Sequence, residues 1–482
     1  MRAAPKMDPR LTKTTFLRFL KCPAEFWLDF HQPLLMAEPI TLEHEHFRQQ
    51  GYDVERYARQ LARFTTIENG VVDFQRTFQT KDLFARADVV ISDTNTGELD
   101  LYEIKAASSI KEEHLDDITF QTIVCERMGF IVRRAHVITM NGEYVRQGEI
   151  DVEQLFVVND VTEVVRERQP YVEEEIRKAF AYLATMPVAK LADYCIEHKL
   201  ECRFLQLHLG PFPDYTVFDI SYLKHDKRRD LLSQDILKIT DVPDDYPLSP
   251  KQRSQVAVAK SGEAVIKHDK IRERMDAWEY PLHFLDYETF AYAIPQFDGV
   301  RPFQQMVFQY SLHTIDRPGA EPRHSEFLSR GNDAPPRSVA EHLRDSMSGG
   351  IGTVFVWYEP FEKGRNDEMA AMFPDLADLF TEVNAKTYDL MKIFYDDLWI
   401  DPDFKGKTSI KKVLPVLCPH LRYDDLGIGD GLTATVKWFR AAKWDTLSDA
   451  ERETIFNDLL EYCELDTFAM VEIYRCLVNE CR

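Results

Sequence analysis

The chain has 482 residues, 44% apolar and 29% charged, a globular profile with material for two or three domains. Its formal net charge of −22 excludes a general nucleic-acid coat protein, which needs a basic surface to displace counterions, but not an enzyme whose acids hold cations. No apolar run approaches the roughly 20 residues of a membrane span, and no apolar stretch follows the basic start, so neither an anchor nor a secretory signal is read and a cytoplasmic location is expected.

Near the start, Phe16, Phe19, Leu20, Phe26 and Trp27 recur at helical spacing and predict a buried stripe interrupted at Pro23. A second helix is predicted over 43–64. The period then changes to two, predicting strands over 71–80, 83–92 and 98–107. Asp93, Asn95 and Gly97 between the last two are a hairpin signal. A helix over 114–129, a strand over 133–140 and a helix over 160–183 complete an α/β block. Residues 213–280 lack strong alternation and read as a charged helical connector. The third block predicts a strand after Pro281, strands in FQQMVFQYSLHTI and RHSEFLSR, a helix in SVAEHLRDSM, an apolar strand in GTVFVWYE, and helices to the end. The expected division is therefore 1–212, 213–280 and 281–482.

Asp286 and Glu288 stand two apart on a predicted strand, so both point to one face. Two acids on one face of an apolar strand repel each other unless a divalent cation lies between them. The plainer reading is a solvent-facing edge. Tyr462 and Asp466, four apart, share a helix face. Glu362 follows the fourth strand, where open α/β sheets place their sites. A helix-start Glu favoured by the macrodipole is its plainer reading. Asp389 is a rival or supporting acid.

Together these segments resemble the DEDD (DnaQ-like) exonucleases. Asp286 and Glu288 match the D-x-E motif, and Tyr462 and Asp466 match Y-x-x-x-D. Glu359-Pro360-Phe361-Glu362 matches the second motif loosely, with Glu at both ends where the family has Asn and Asp. The resemblance implies a ribonuclease-H-like fold and two-metal phosphodiester hydrolysis. Asp286, Glu288, Glu362 and Asp466 would hold Mg²⁺ or Mn²⁺, and Tyr462 would orient the attacking water.

In the first block, Asp88 lies in one predicted strand, and Glu103 and Lys105 lie on one face of the next. Two acids would hold a metal and the lysine would stabilise developing negative charge. A cross-strand salt bridge is the plainer alternative. With Gln121 on the following helix, the set resembles the RecB-like branch of PD-(D/E)xK nucleases over residues 11–208. That resemblance implies a restriction-endonuclease-like core. It also implies an upstream acid or histidine, for which Glu55 is the first candidate and His44 and His46 are lesser ones. Several members of that branch hold an iron–sulfur cluster. Cys22, Cys195 and Cys202 fit three of its ligand positions, while His208 occupies the fourth. A zinc site or a lost cluster stands beside that reading, and an intact four-cysteine cluster is not expected. The remaining cysteines are expected as buried thiols.

The arrangement of both blocks resembles a bacterial family of tandem nuclease-like proteins. The runs Leu11-Thr12-Lys13, Lys21-Cys22-Pro23, Leu285 to Phe290 and Ser409 to Pro415 carry it. Lys407, Lys411 and Lys412 are candidate phosphate contacts, or else a solvated basic turn. No P-loop, G-x-G-x-x-G or G-x-S-x-G is present. The expected function is a metal-dependent nuclease, an exonuclease, that hydrolyses DNA phosphodiester bonds in repair, recombination or defence. The alternative is a nucleic-acid-binding or scaffolding protein with degenerate sites.

Overall fold

The computed structural model describes residues 10–36, 41–184, 212–331, 334–423, 426–443 and 447–481. The chain is a mixed α/β protein that forms two compact units. One contains residues 1–212 with 292–304, the other 213–291 with 305–482. Residues 213–280, read from sequence as a connector, thus belong to the second unit.

The first unit is built on six strands: β1 (Leu11–Thr12), β2 (Gly70–Gln79), β3 (Leu83–Asp93), β4 (Leu99–Ile104), β5 (Val132–Met140) and β6 (Phe156–Asp160). Their order is β1-β3-β4-β5-β6, with β2 also paired to β3. β3 and β4 form an antiparallel hairpin. Its turn is closed by the Asp93 carboxylate, which accepts from the amides of Asn95 and Thr96, and by Gly97 at φ 74°. The helix Glu112–Arg127 then carries the chain over to β5, parallel to β4. Phe120, Ile123 and Val124 of that helix pack with Ala85, Ala87, Leu99 and Leu101 of the sheet and with Phe16 and Phe26. Phe16 and Phe26 lie on separate helices, Lys13–Lys21 and Pro23–His31, divided at the proline. Val54 and Ala58 of the helix Leu42–Ala58 pack with Val89, Ile91 and Tyr102 in a second cluster. Both faces of the sheet are therefore covered, and a polar residue at its centre is withdrawn from water.

The second unit contains β7 (Val265–Ile266), β8 (Leu282–Phe290), β9 (Met306–Ile315), β10 (Arg323–Leu328), β11 (Val354–Val356), β12 (Thr387–Asp389) and β13 (Trp399–Ile400). Five of them form a sheet in the order β10-β9-β8-β11-β12, and β7 pairs with β13. β10, β9 and β8 are antiparallel neighbours, whereas β8, β11 and β12 run parallel. Leu285 and Tyr287, on one face of the central β8, pack with Val339, Leu343, Met369 and Phe380 from three helices. The alternate residues meet the C-terminal helices. Trp438 stacks on Phe290 and Phe308 at centroid distances of 4.7 and 4.6 Å, and its Nε1 donates to the carbonyl of Ser329. Phe284 lies against Tyr474 of the helix Asp449–Cys481. The face that carries Asp286 and Glu288 is consequently roofed by that helix. The sequence reading missed β12, whose three residues are too few to display a period.

Candidate functional site

In the second unit, Asp286, Glu288 and Asp466 converge. One carboxylate oxygen from each lies within 4.8 Å of the others. β8 supplies the first two on one face, and a register shift after Glu288 adjusts that side chain's aim. Glu288 and Asp466 are 7% and 8% exposed, and Asp286 keeps partial access to solvent. Burial, with Asp466 close by, pushes the Asp286 carboxyl well above the usual range. Burial and the same two neighbours do so for Glu288. Asp466 rises only to about 6, because the Tyr423 hydroxyl donates to it at 2.6 Å and Lys411 lies near.

Glu362 lies near enough to this cluster for its charge to act on Glu288 and for that of Asp286 to act on it. It sits in the first turn of the helix Glu359–Met372, directly after β11, and is 2% exposed. Its Oε2 is buried without a hydrogen-bond partner, and burial together with Asp286 raises its carboxyl strongly. An unpaired buried carboxylate oxygen costs stability, so this atom calls for a partner from outside the chain. Asp389, at the end of β12, does not compete for that role. Its carboxylate accepts from the backbone amides of Tyr358, Glu359 and Met391 and so caps the helix that carries Glu362. Tyr358, at the joint, adopts φ 90°, a strained conformation held by those bonds.

Lys411 reaches the cluster as well. Its Nζ donates to Tyr462 Oη at 3.1 Å and to the Gly429 carbonyl at 2.6 Å, above the rings of Tyr423 and Tyr462. Lys407 instead lies 3.9 Å from Asp219, and Lys412 is exposed. Tyr423→Phe removes the donor that favours ionised Asp466. The acid limb of any activity that needs ionised Asp466 is therefore expected to move up by about one pH unit. A pH–rate profile of the variant checks this.

The first unit assembles its own cluster. Asp88 Oδ2 accepts from the Ile104 amide at 2.9 Å, and its Oδ1 from Gln75 Nε2 at 3.1 Å. Gln75 also donates to Glu55 Oε1 at 2.5 Å. Gln75 lies opposite Asp88 in the β2–β3 register, at φ 54°, and its amide reaches both acids. Glu103 Oε1 accepts from both Lys105 and Lys13 at 2.8 Å, and its Oε2 from Gln121 at 2.8 Å. Asp117 accepts from Lys105 at 2.6 Å and from Gln121 at 2.9 Å. Burial pushes Asp88 up to about 7, with Glu103 adding to it. Burial acts upward on Glu103 too, but Lys105 and Lys13 outweigh it and hold that carboxyl well below the usual range. A cavity of about 370 Å³ opens onto this cluster, lined by Lys13, Glu55, Arg59, Gln75, Arg86 and Asp88 among others.

His44 lines a different cavity, beside Arg18 and Glu112. His46 is buried against Tyr292. Cys22 is buried with Ala24, Trp27 and Leu28. Cys195, Cys202 and His208 lie outside the described residues.

Residues 283–409 match a domain of unknown function, DUF2779. That stretch contains Asp286, Glu288, Glu362 and Asp389 and ends before Tyr462 and Asp466. The chain is 29% identical over 214 residues to Uncharacterized protein UU173 of Ureaplasma parvum serovar 3 (strain ATCC 700970). The match covers 39% of this chain and 30% of that protein, so the chain spans less than a third of its relative's length. Among solved structures, the crystal structure of SSO0001 superposes on 36% of this chain and 79% of its own at 12% identity, with a TM-score of 0.21, too low to bear on the fold.

Four members of the two clusters escaped the sequence reading as site residues. Asp117 precedes Gln121 by one helical turn, and that spacing is the signal that would have found it. Lys13, Gln75 and Tyr423 arrive from a helix start, a left-handed residue within β2 and an irregular segment, and no periodicity marks them.

Proposed function

We propose that the chain is a divalent-metal-dependent nuclease that hydrolyses DNA phosphodiester bonds, with a ribonuclease-H-like core in the second unit and a restriction-endonuclease-like core in the first. The observation that carries this reading is the convergence of Asp286, Glu288 and Asp466, with Glu362, whose buried Oε2 has no partner, close enough to feel the Asp286 charge. An all-oxygen donor set of this charge suits Mg²⁺ or Mn²⁺. Those four residues would hold the ions. When bound, they would supply Lewis-acid stabilisation of the charge that builds on the phosphoryl oxygens.

The chain's own groups divide the remaining tasks. Tyr462, whose Oη accepts from Lys411, would orient the attacking water. Lys411 brings a positive charge to the acids and offers it to a phosphate. Tyr423 keeps Asp466 ionised by donating to it. In the first unit, Asp88 and Glu103 would bind metal and Lys105 would stabilise developing charge. Lys13, Arg59 and Arg86 give that cavity a cationic lining for the phosphate backbone.

The test is to incubate the full chain with end-labelled single- and double-stranded DNA and with RNA, in Mn²⁺, Mg²⁺ or EDTA. Mn²⁺-dependent shortening of single-stranded DNA, abolished by EDTA, is expected. Intact substrate under every condition would overturn the reading.

A further inference from the structure

A third cluster, in the second unit, uses different donors. His313 and His324 are directly opposite on β9 and β10, with ring centroids 4.5 Å apart. One ring nitrogen of each and a carboxylate oxygen of Glu464, on the C-terminal helix, lie within 4.8 Å of one another.

The surrounding hydrogen bonds assign the ring protons. Thr467 Oγ1 donates to the Glu464 carbonyl at 3.0 Å. It is therefore an acceptor toward Ser311 Oγ at 2.7 Å and His313 Nδ1 at 2.8 Å. The Ser311 proton is thus directed to Thr467, and its oxygen accepts from His324 Nε2 at 2.9 Å. It follows that His313 Nδ1 and His324 Nε2 carry protons, which leaves the other nitrogen of each ring free for a ligand, and His324 Nδ1 stands 3.6 Å from Glu464 Oε1. His313 is only 4% exposed, and burial with the neighbouring His324 ring pushes it down to about 3, so its imidazole is neutral. Two imidazole nitrogens and a carboxylate oxygen gathered this closely form a donor set that a cation can join.

We propose that His313, His324 and Glu464 form a transition-metal site of the zinc class, distinct from the carboxylate cluster. Imidazole nitrogens select a borderline-soft ion over Mg²⁺, and two histidines with one glutamate leave a fourth position for water. Thr467 and Ser311 are the hydroxyls that fix the tautomers and ring orientations, as outer partners of metal-bound histidines do. His324 and Glu464 are partly exposed and give the ion a way in. The bound ion would pin the C-terminal helix to β9 and β10 two residues before Asp466. The site stands on its own donors and does not depend on the nuclease reading.

The full chain, stripped of metal and kept in excess Mg²⁺ to fill the carboxylate sites, is titrated with Zn²⁺ against a chromogenic chelator. His324→Ala and Glu464→Gln are each expected to bind one tight ion fewer than the wild type, with that site weakened about 100-fold or more. Asp286→Asn is expected to bind as many as the wild type. Both altered side chains are partly exposed, and thermal melting of the metal-free variants verifies folding. Wild-type zinc binding by either His324→Ala or Glu464→Gln overturns the proposal. So does loss of the same ion in Asp286→Asn, which would assign it to the carboxylates.

Discussion

Asp286→Asn is expected to lower Mn²⁺-dependent cleavage of single-stranded DNA by on the order of 10³-fold or more while making the metal-free protein more stable. The two effects have one cause. The carboxyls of Asp286, Glu288 and Glu362 are raised in the folded protein, first by burial and then by neighbouring acids, and Asp466 is raised to about 6. A carboxyl raised on folding holds its proton longer in the folded than in the unfolded chain. Its ionisation therefore removes stability as pH climbs from the ordinary carboxylate range through the folded value. Without metal, the wild type should lose stability as pH rises above the ordinary carboxylate range, and the Asn variant should lose less. Mn²⁺ should reverse the wild-type loss and leave the variant unmoved, because an ion that binds only the folded state raises the melting temperature. Melting curves across that pH range, with and without Mn²⁺, check the sign. A variant that melts lower than the wild type yet keeps the full Mn²⁺ increment would mean that these acids do not bind metal.

The parts of this arrangement that sequence made legible are local. Asp286 and Glu288 share a face because side chains alternate along a strand, and β8 is long and apolar enough to display that period. Tyr462 and Asp466 are one turn apart in a helix whose apolar pattern was plain. The hairpin at Asp93–Gly97 and the break at Pro23 follow from turn and proline chemistry. What was not legible is the set of contacts between distant segments. Lys13 meets Glu103 across 90 positions, and Tyr423 meets Asp466 from a stretch with no repeating pattern. Asp389 illustrates the same limit in reverse. As an acid near the candidate site it read as a rival ligand, yet its oxygens are engaged by three backbone amides, which only the fold of β12 against the helix at Glu359 reveals. The segment 213–280 read as a charged helical connector, but its described helices are short, and Tyr222 and Asp235, at φ 55° and 60°, mark turns between them.

Glu103→Ala is expected to destabilise the protein by about 3–5 kcal/mol, more than any exposed charge change in the chain, and to remove metal binding from the first unit. Glu103 is 2% exposed, and three donors, Lys13, Lys105 and Gln121, converge on it. Its removal leaves two partly buried ammonium groups with Asp117 as their remaining close acceptor, which accepts from Lys105 at 2.6 Å but stands 3.5 Å from Lys13. The pH signature is opposite to that of Asp286. The Glu103 carboxyl is depressed on folding, so its contribution is present above the ordinary carboxylate range and is lost as pH falls through the folded value. The variant should therefore differ most from the wild type near neutrality and least in strong acid. Glu103→Gln, which keeps the shape and one acceptor for the lysines but sets its amide against that of Gln121, should fall between the two. Placed in the Asp286→Asn background, Glu103→Ala isolates the first unit's chemistry, and any metal-dependent cleavage left by Asp286→Asn should vanish. Persistence of that cleavage, or a wild-type melting temperature at pH 7, would show that Glu103 serves as one ion pair among many.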